Sequence, residues 1–128
     1  MQWVFIVGGK DLSLRSMTEM DFEGATSIVP TEDMVTVKYK NGYAVFEEYD
    51  KDNIIRDHEP QDIEVLEKLP FVPEKWIMLT YSDTEVLKSI VSDESFPDNT
   101  VIDCDGTDLG LESVFPRERL IFTEMKKG

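Results

Sequence analysis

WIMLTYSDTEVLKSIVSDESFPDNTVID, Trp76 to Asp103, is the stretch on which the fold turns. Trp76–Tyr81 is a continuous, mainly apolar run and reads as a central strand. Ser82 with Glu85 three residues on has the spacing of a capping box, and Val86, Leu87, Ile90 and Val91 give the following helix its apolar face. Phe96-Pro97-Asp98-Asn99 closes that helix, and Thr100–Asp103 is a second strand. Strand, helix and strand within 28 residues predict a βαβ unit with parallel strands and a right-handed crossover.

Outward from this unit, Trp3–Val7 is an unbroken apolar run ended by Gly8-Gly9, suited to a buried strand. Asp11 to Ser27 fits neither the helical nor the strand period. Met34 to Tyr49 reads as a β-hairpin about Asn41-Gly42, because a two-residue type I′ turn needs positive φ at both central residues. That turn sets Tyr39 opposite Ala44, Val37 opposite Phe46 and Val35 opposite Glu48. One face is then mostly apolar; the other carries Thr36, Lys38, Lys40, Tyr43, Val45 and Glu47, with Lys38 and Glu47 diagonal to each other.

EPQDIEVLEKL, Glu59 to Leu69, has Pro60 in a first helical turn and a stripe of Ile63, Leu66 and Leu69. Pro70 and Pro73 punctuate a loop, and RLIFTEM near the end is a last strand. The expectation is an α+β fold in one domain, 1–128. Its mixed sheet has an antiparallel N-terminal hairpin half and a C-terminal strand–helix–strand unit, with helices packed on the sheet.

Thirteen Lys and Arg against 27 Asp and Glu leave a formal charge of -14. Such a surface repels nucleic-acid phosphates and anionic headgroups, and attracts cationic partners. Neither nucleic acid nor membrane is therefore an expected partner. MQWVFIVGG has a short apolar core and no basic flank, unlike a signal peptide, and no run reaches the ~20 residues that span a bilayer. A lone cysteine, Cys104, leaves no internal disulfide and no cysteine-based zinc cluster. A cytoplasmic location is expected.

VIDCDGTDLG, Val101 to Gly110, is the one place where chemistry is spelled out. Asp103-Cys104-Asp105-Gly106-Thr107 after an apolar strand resembles the first motif of haloacid dehalogenase-type phosphatases. That resemblance implies Asp103 as nucleophile, Asp105 as general acid/base and Mg²⁺ between them. It covers five residues, and of what the family needs downstream the 21 that follow Thr107 offer only the tail lysines Lys126 and Lys127 and no acidic pair beyond a strand. A calcium loop fits no better: with Asp103 and Asp105 as its third and fifth positions, the first falls on Val101, which has no ligand atom. Asp-Gly leading into Thr107-Asp108 is ordinary turn chemistry. No cofactor and no metal are expected.

His58, the only histidine, sits in the polar stretch RDHEP and reads as an exposed or loop-bracing imidazole. VGGK, Val7 to Lys10, lacks the spacing of a phosphate-binding loop. The acidic excess is the larger signal. It concentrates in Glu47–Glu67, with nine carboxylates against Lys51 and Arg56, and in Asp83–Asp108. With Tyr43, Tyr49, Phe71 and Trp76 nearby, these stretches suit a surface that meets a basic protein, carboxylates steering and aromatics anchoring. The expected contacts are Glu47, Glu48, Asp50, Asp52, Asp57, Glu59, Asp103, Asp105 and Asp108. A sheet edge is a further docking feature.

In size, acidity and lack of a catalytic set the chain resembles the small immunity proteins that neutralise bacterial toxins. That resemblance implies a non-enzymatic inhibitor that occludes a basic cleft. The rival is a small Mg²⁺-dependent phosphate-handling enzyme using Asp103 and Asp105.

Overall fold

A computed structural model describes residues 2–56, 58–104, 110–121 and 123. The elements run β1 (Gln2–Gly8), α1 (Leu14–Thr18), β2 (Ala25–Pro30), β3 (Met34–Tyr39), β4 (Gly42–Tyr49), α2 (Lys51–Arg56), α3 (Pro60–Glu67), β5 (Lys75–Tyr81), α4 (Thr84–Val91), β6 (Thr100–Asp103) and β7 (Leu120–Ile121), with short 3₁₀ turns at Leu111–Ser113 and Arg117–Arg119. All the strands join one sheet in the order β2-β3-β4-β5-β1-β6-β7. Only the β6–β7 pair is parallel, so the sheet is mixed and the fold is α+β.

β5, α4 and β6 form the expected strand–helix–strand unit, but its two strands do not touch. β1 lies between them, antiparallel to both, which leaves β5 and β6 pointing the same way across it. The reason is in β1 itself. Val4 to Val7 are buried on both faces, so this strand needs neighbours on both edges and helices on both sides.

Two cores result. On one face Val4, Ile6, Val37, Phe46, Leu79 and Ile102 lie under Met17 of α1 and Val86, Leu87 and Ile90 of α4. On the other, Phe5, Val7, Trp76, Val101 and Ile121 lie under Ile54 of α2 and Leu66 of α3. Each large apolar side chain buried this way contributes about 1.5–3 kcal/mol before conformational entropy is counted. Trp76, expected near a docking surface, is fully buried here, and Phe71 packs against the same core.

The hairpin forms with a register shifted from expectation. Val35 faces Phe46, Val37 faces Ala44 and Tyr39 faces Gly42, so the turn residues are Lys40-Asn41. Lys38 consequently faces Tyr43, and Glu47 faces Met34 instead. The shift moves the turn by one residue and keeps every side chain on its predicted face. Asn41 and Gly42 are not among the left-handed residues, so the turn is not type I′. Gly42 is required by crowding: a Cβ there would stand 2.5 Å from Ser82 Oγ and 2.8 Å from Val86 Cγ2. That hydroxyl accepts a hydrogen bond from the Tyr43 N–H at 2.9 Å, tying the hairpin to the start of α4. Asp83, rather than Ser82, therefore caps α4, its Oδ1 accepting from the Val86 N–H at 3.0 Å.

In α3 the inward positions are Asp62 and Leu66, with Val65 and Leu69 packed beside them, while Ile63 is only half-buried. Asp62 faces inward because its Oδ2 accepts from the Glu59 N–H at the helix start. The stretch that fitted no period contains α1, capped by Ser13, and the start of the edge strand β2, most of which is exposed on both faces. Among the described residues no helix is long and apolar enough to cross a membrane.

Candidate functional site

The expected contact residues separate into three groups. Asp57, Asp105 and Asp108 lie outside the described residues. Asp103 does not line an acidic rim: it is fully buried, on the second-core side of β6. The others, Glu47, Glu48, Asp50, Asp52 and Glu59, are at least partly accessible along β4, α2 and the start of α3.

Asp103 belongs to a buried polar network. Its Oδ1 accepts a hydrogen bond from Thr123 Oγ1. Its Oδ2 stands 3.6 Å from His58 Nε2, with both side chains sealed from solvent. Of the two expectations, exposed or loop-bracing, His58 meets the second: it is buried and braces the segment between α2 and α3. Its Nδ1 donates to the Ile54 carbonyl at 2.6 Å, which hooks the residue back over the end of α2. Burial alone pushes the imidazole pKa down. The adjacent Asp103 carboxylate, the hydrogen bond to the Ile54 carbonyl and the charge of Asp62 outweigh that burial, and the net shift is upward. This arrangement favours the protonated form of the imidazole and sets the α2–α3 junction against β6.

Cys104 points into the opposite core from Asp103, because successive strand residues alternate faces, and so does not pair with His58. The carboxylate that a phosphoryl-transfer reading needs at a surface is buried. Among the described residues no three His, Cys, Asp or Glu side chains are gathered to hold a metal ion.

The accessible carboxylates do converge. At the end of the sheet where the β2–β3 turn, the end of β4 and the start of β5 meet, a groove of about 490 Å³ is lined by Glu32, Asp33, Glu48, Asp50 and Glu74, with Tyr49 in its wall. Lys51 and Lys75 are the cations there, and Lys75 Nζ is 3.4 Å from Glu48 Oε1. Five carboxylates against two ammonium groups leave a local excess of negative charge, open to solvent and suited to a guanidinium or ammonium group. Glu48 and Asp50 were legible as an acidic run; Glu32, Asp33 and Glu74 join them only through the sheet register.

A second, larger concavity of about 690 Å³ lies at the same end of the sheet, between the segments 9–12, 70–74 and 97–100. Its wall mixes Leu12, Phe71 and Val72 with Lys10, Asp11 and Asp98. Those three charged side chains are all exposed, so none is held in place by burial to fix a ligand's orientation.

No family model matches this chain, and comparisons with curated proteins and with solved structures found no match either.

Proposed function

We propose that the protein is a non-enzymatic binding module whose acidic groove receives the basic surface of another protein, as an immunity-type inhibitor of a bacterial toxin does, and that it works in the cytoplasm. The observation that carries the reading is the groove itself. Three separate stretches of chain bring Glu32, Asp33, Glu48, Asp50 and Glu74 to one place, where sequence proximity gathers them only as the pairs Glu32-Asp33 and Glu48/Asp50. The formal charge of -14 extends the same attraction over longer range, raising the encounter rate with a cationic partner. Burial of Asp103 between His58 and Thr123 weighs against the metal-dependent alternative, which requires that carboxylate to meet substrate.

The test is partner capture from the native host at low ionic strength. The complex should weaken steeply as salt rises, since the Debye length falls from about 10 Å at 0.1 M to about 3 Å at 1 M. Glu48→Lys with Asp50→Lys should weaken it at least tenfold, about 1.4 kcal/mol, by replacing attraction with repulsion. A complex indifferent to both salt and charge reversal would sink the reading.

A further inference from the structure

One face of the sheet is bare over its β2–β4 half. α1 and α4 pack on the first-core side, and the second core under α2 and α3 contains no residue of β2, β3 or β4. Across this bare face the pairings line up Val29, Thr36, Val45, Thr80 and Trp3 in one continuous row over five strands. The adjacent row is Met34, Glu47, Met78 and Phe5. Val29, Trp3, Tyr43 and Tyr49 expose 46%, 37%, 37% and 36% of their surface. The rings of Trp3 and Phe5 meet edge-on at 5.4 Å, and those of Phe5 and Tyr49 at 5.5 Å. This aromatic chain therefore runs from the second core out to water.

We propose that this face is the apolar anchor of the interface and that its occupant is a basic protein presenting an apolar patch ringed by Lys or Arg. The inference rests on the acidic-groove reading above and adds to it the surface that supplies affinity. Charge selects the occupant. Tyr49 belongs to both the face and the groove; within the face Glu47 and Lys38 offset each other, and the Glu32-Asp33 turn at its border leaves the surroundings acidic. A second copy docking by two-fold symmetry would bring two chains of charge -14 together and set each copy's acidic end against the same surface. Partly exposed Trp and Tyr held by ring contacts are the side chains that anchor interfaces at low entropic cost.

Docking is through side chains rather than by an added strand, because the β2 edge is blunted at both ends. Its register slips between Ala25 and Ser27. At the other end the Thr31 N–H donates to the Met34 carbonyl, so Pro30 occupies the alternate, non-hydrogen-bonded position and turns its donorless nitrogen to the open edge.

Trp76 is fully buried and Trp3 is not, so a change in tryptophan emission on binding reports Trp3. The probes are an amphipathic peptide of leucine and arginine, about 18 residues long, and an all-arginine peptide of equal charge. At low salt the intact protein should bind the leucine–arginine peptide at least tenfold more tightly, with a blue shift of Trp3 emission. Tyr43→Ser with Val29→Thr, neither of which lines the groove, should remove that advantage while leaving the all-arginine affinity unchanged; Val29→Thr alone on the edge strand should reduce it with less risk to folding. Equal affinities for the two peptides, or an advantage that survives these substitutions, would overturn the anchor and leave the acidic groove standing. Binding of neither peptide would overturn both readings. Self-association by sedimentation that Trp3→Ser abolishes would assign the face to a second copy and overturn the proposed occupant.

Discussion

His58 Nε2 faces Asp103 Oδ2 across 3.6 Å inside the protein, and His58 Nδ1 donates to the Ile54 carbonyl on its other side. With both ring nitrogens directed at acceptors, the protonated imidazole is the better-satisfied form, which accounts for a pKa raised above 6.5 despite burial. A group with a raised folded-state pKa contributes stability that is fully present below its unfolded value and is lost as pH rises through the folded one. The melting temperature should therefore decline on going from pH 6 to mildly alkaline pH, and His58→Gln should flatten that decline. A profile of unchanged slope in the variant would exclude His58 as the source.

Asp103→Asn tests the same pair from the other side. It keeps the shape and an acceptor for Thr123 but removes one of the two carboxylate charges, Asp103 and Asp62, that raise the His58 pKa. Removing one partner of a buried pair costs about 3–5 kcal/mol. Urea denaturation should show a loss of that order, and titration of His58 followed by NMR should show its pKa falling.

Neither effect was foreseeable from the local sequence. RDHEP is polar throughout, and nothing in it indicates that the ring lies against a β6 carboxylate. The same physical limit recurs elsewhere. Val4 to Val7 announce a strand buried on both faces, yet their apolar side chains do not encode which two strands will flank them, so β1 splits a unit that reads as contiguous. β2 was invisible because, with most of its residues solvated on both sides, it has no reason to alternate. The β3–β4 hairpin was legible in its faces, since moving the turn by one residue preserves them, but not in its pairing. In the groove, Glu48 and Asp50 could be read as an acidic run, whereas Glu32 and Glu74 come from segments that only the fold makes neighbours.

Gly42 and Asn41 separate the two explanations of that turn. If both needed positive φ, replacing either by alanine would be costly. Since neither is left-handed, Asn41→Ala should stay within about 0.5 kcal/mol of the parent. Gly42→Ala should lose about 1–3 kcal/mol, because its Cβ collides with Ser82 Oγ and Val86 Cγ2. Thermal unfolding of the two variants decides the matter; equal losses would restore the type I′ assignment.

The start of α4 offers a similar contrast. Asp83→Ala removes the acceptor for the Val86 N–H and should cost about 1 kcal/mol. Glu85→Ala should cost little, because the exposed Glu85 is not the residue that completes the cap. A Glu85 variant that proved the more damaging of the two would return the cap to Ser82.

Pro30 should contribute to keeping the open edge from pairing with another chain. Its nitrogen turns outward and carries no hydrogen, and the neighbouring β2 residues ATSIV, Ala25 to Val29, offer no charge to oppose association. Pro30→Val restores an outward N–H next to exposed Ile28 and Val29 and removes the fixed φ. That variant should form concentration-dependent dimers or larger species by sedimentation velocity, more strongly at high salt, where mutual repulsion between acidic chains is screened. Adding Ile28→Lys, which places a charge on the same edge, should return it to the behaviour of the parent. A Pro30→Val protein that sediments like the parent at all concentrations would mean that the register slip between Ala25 and Ser27 is enough by itself to keep the edge closed.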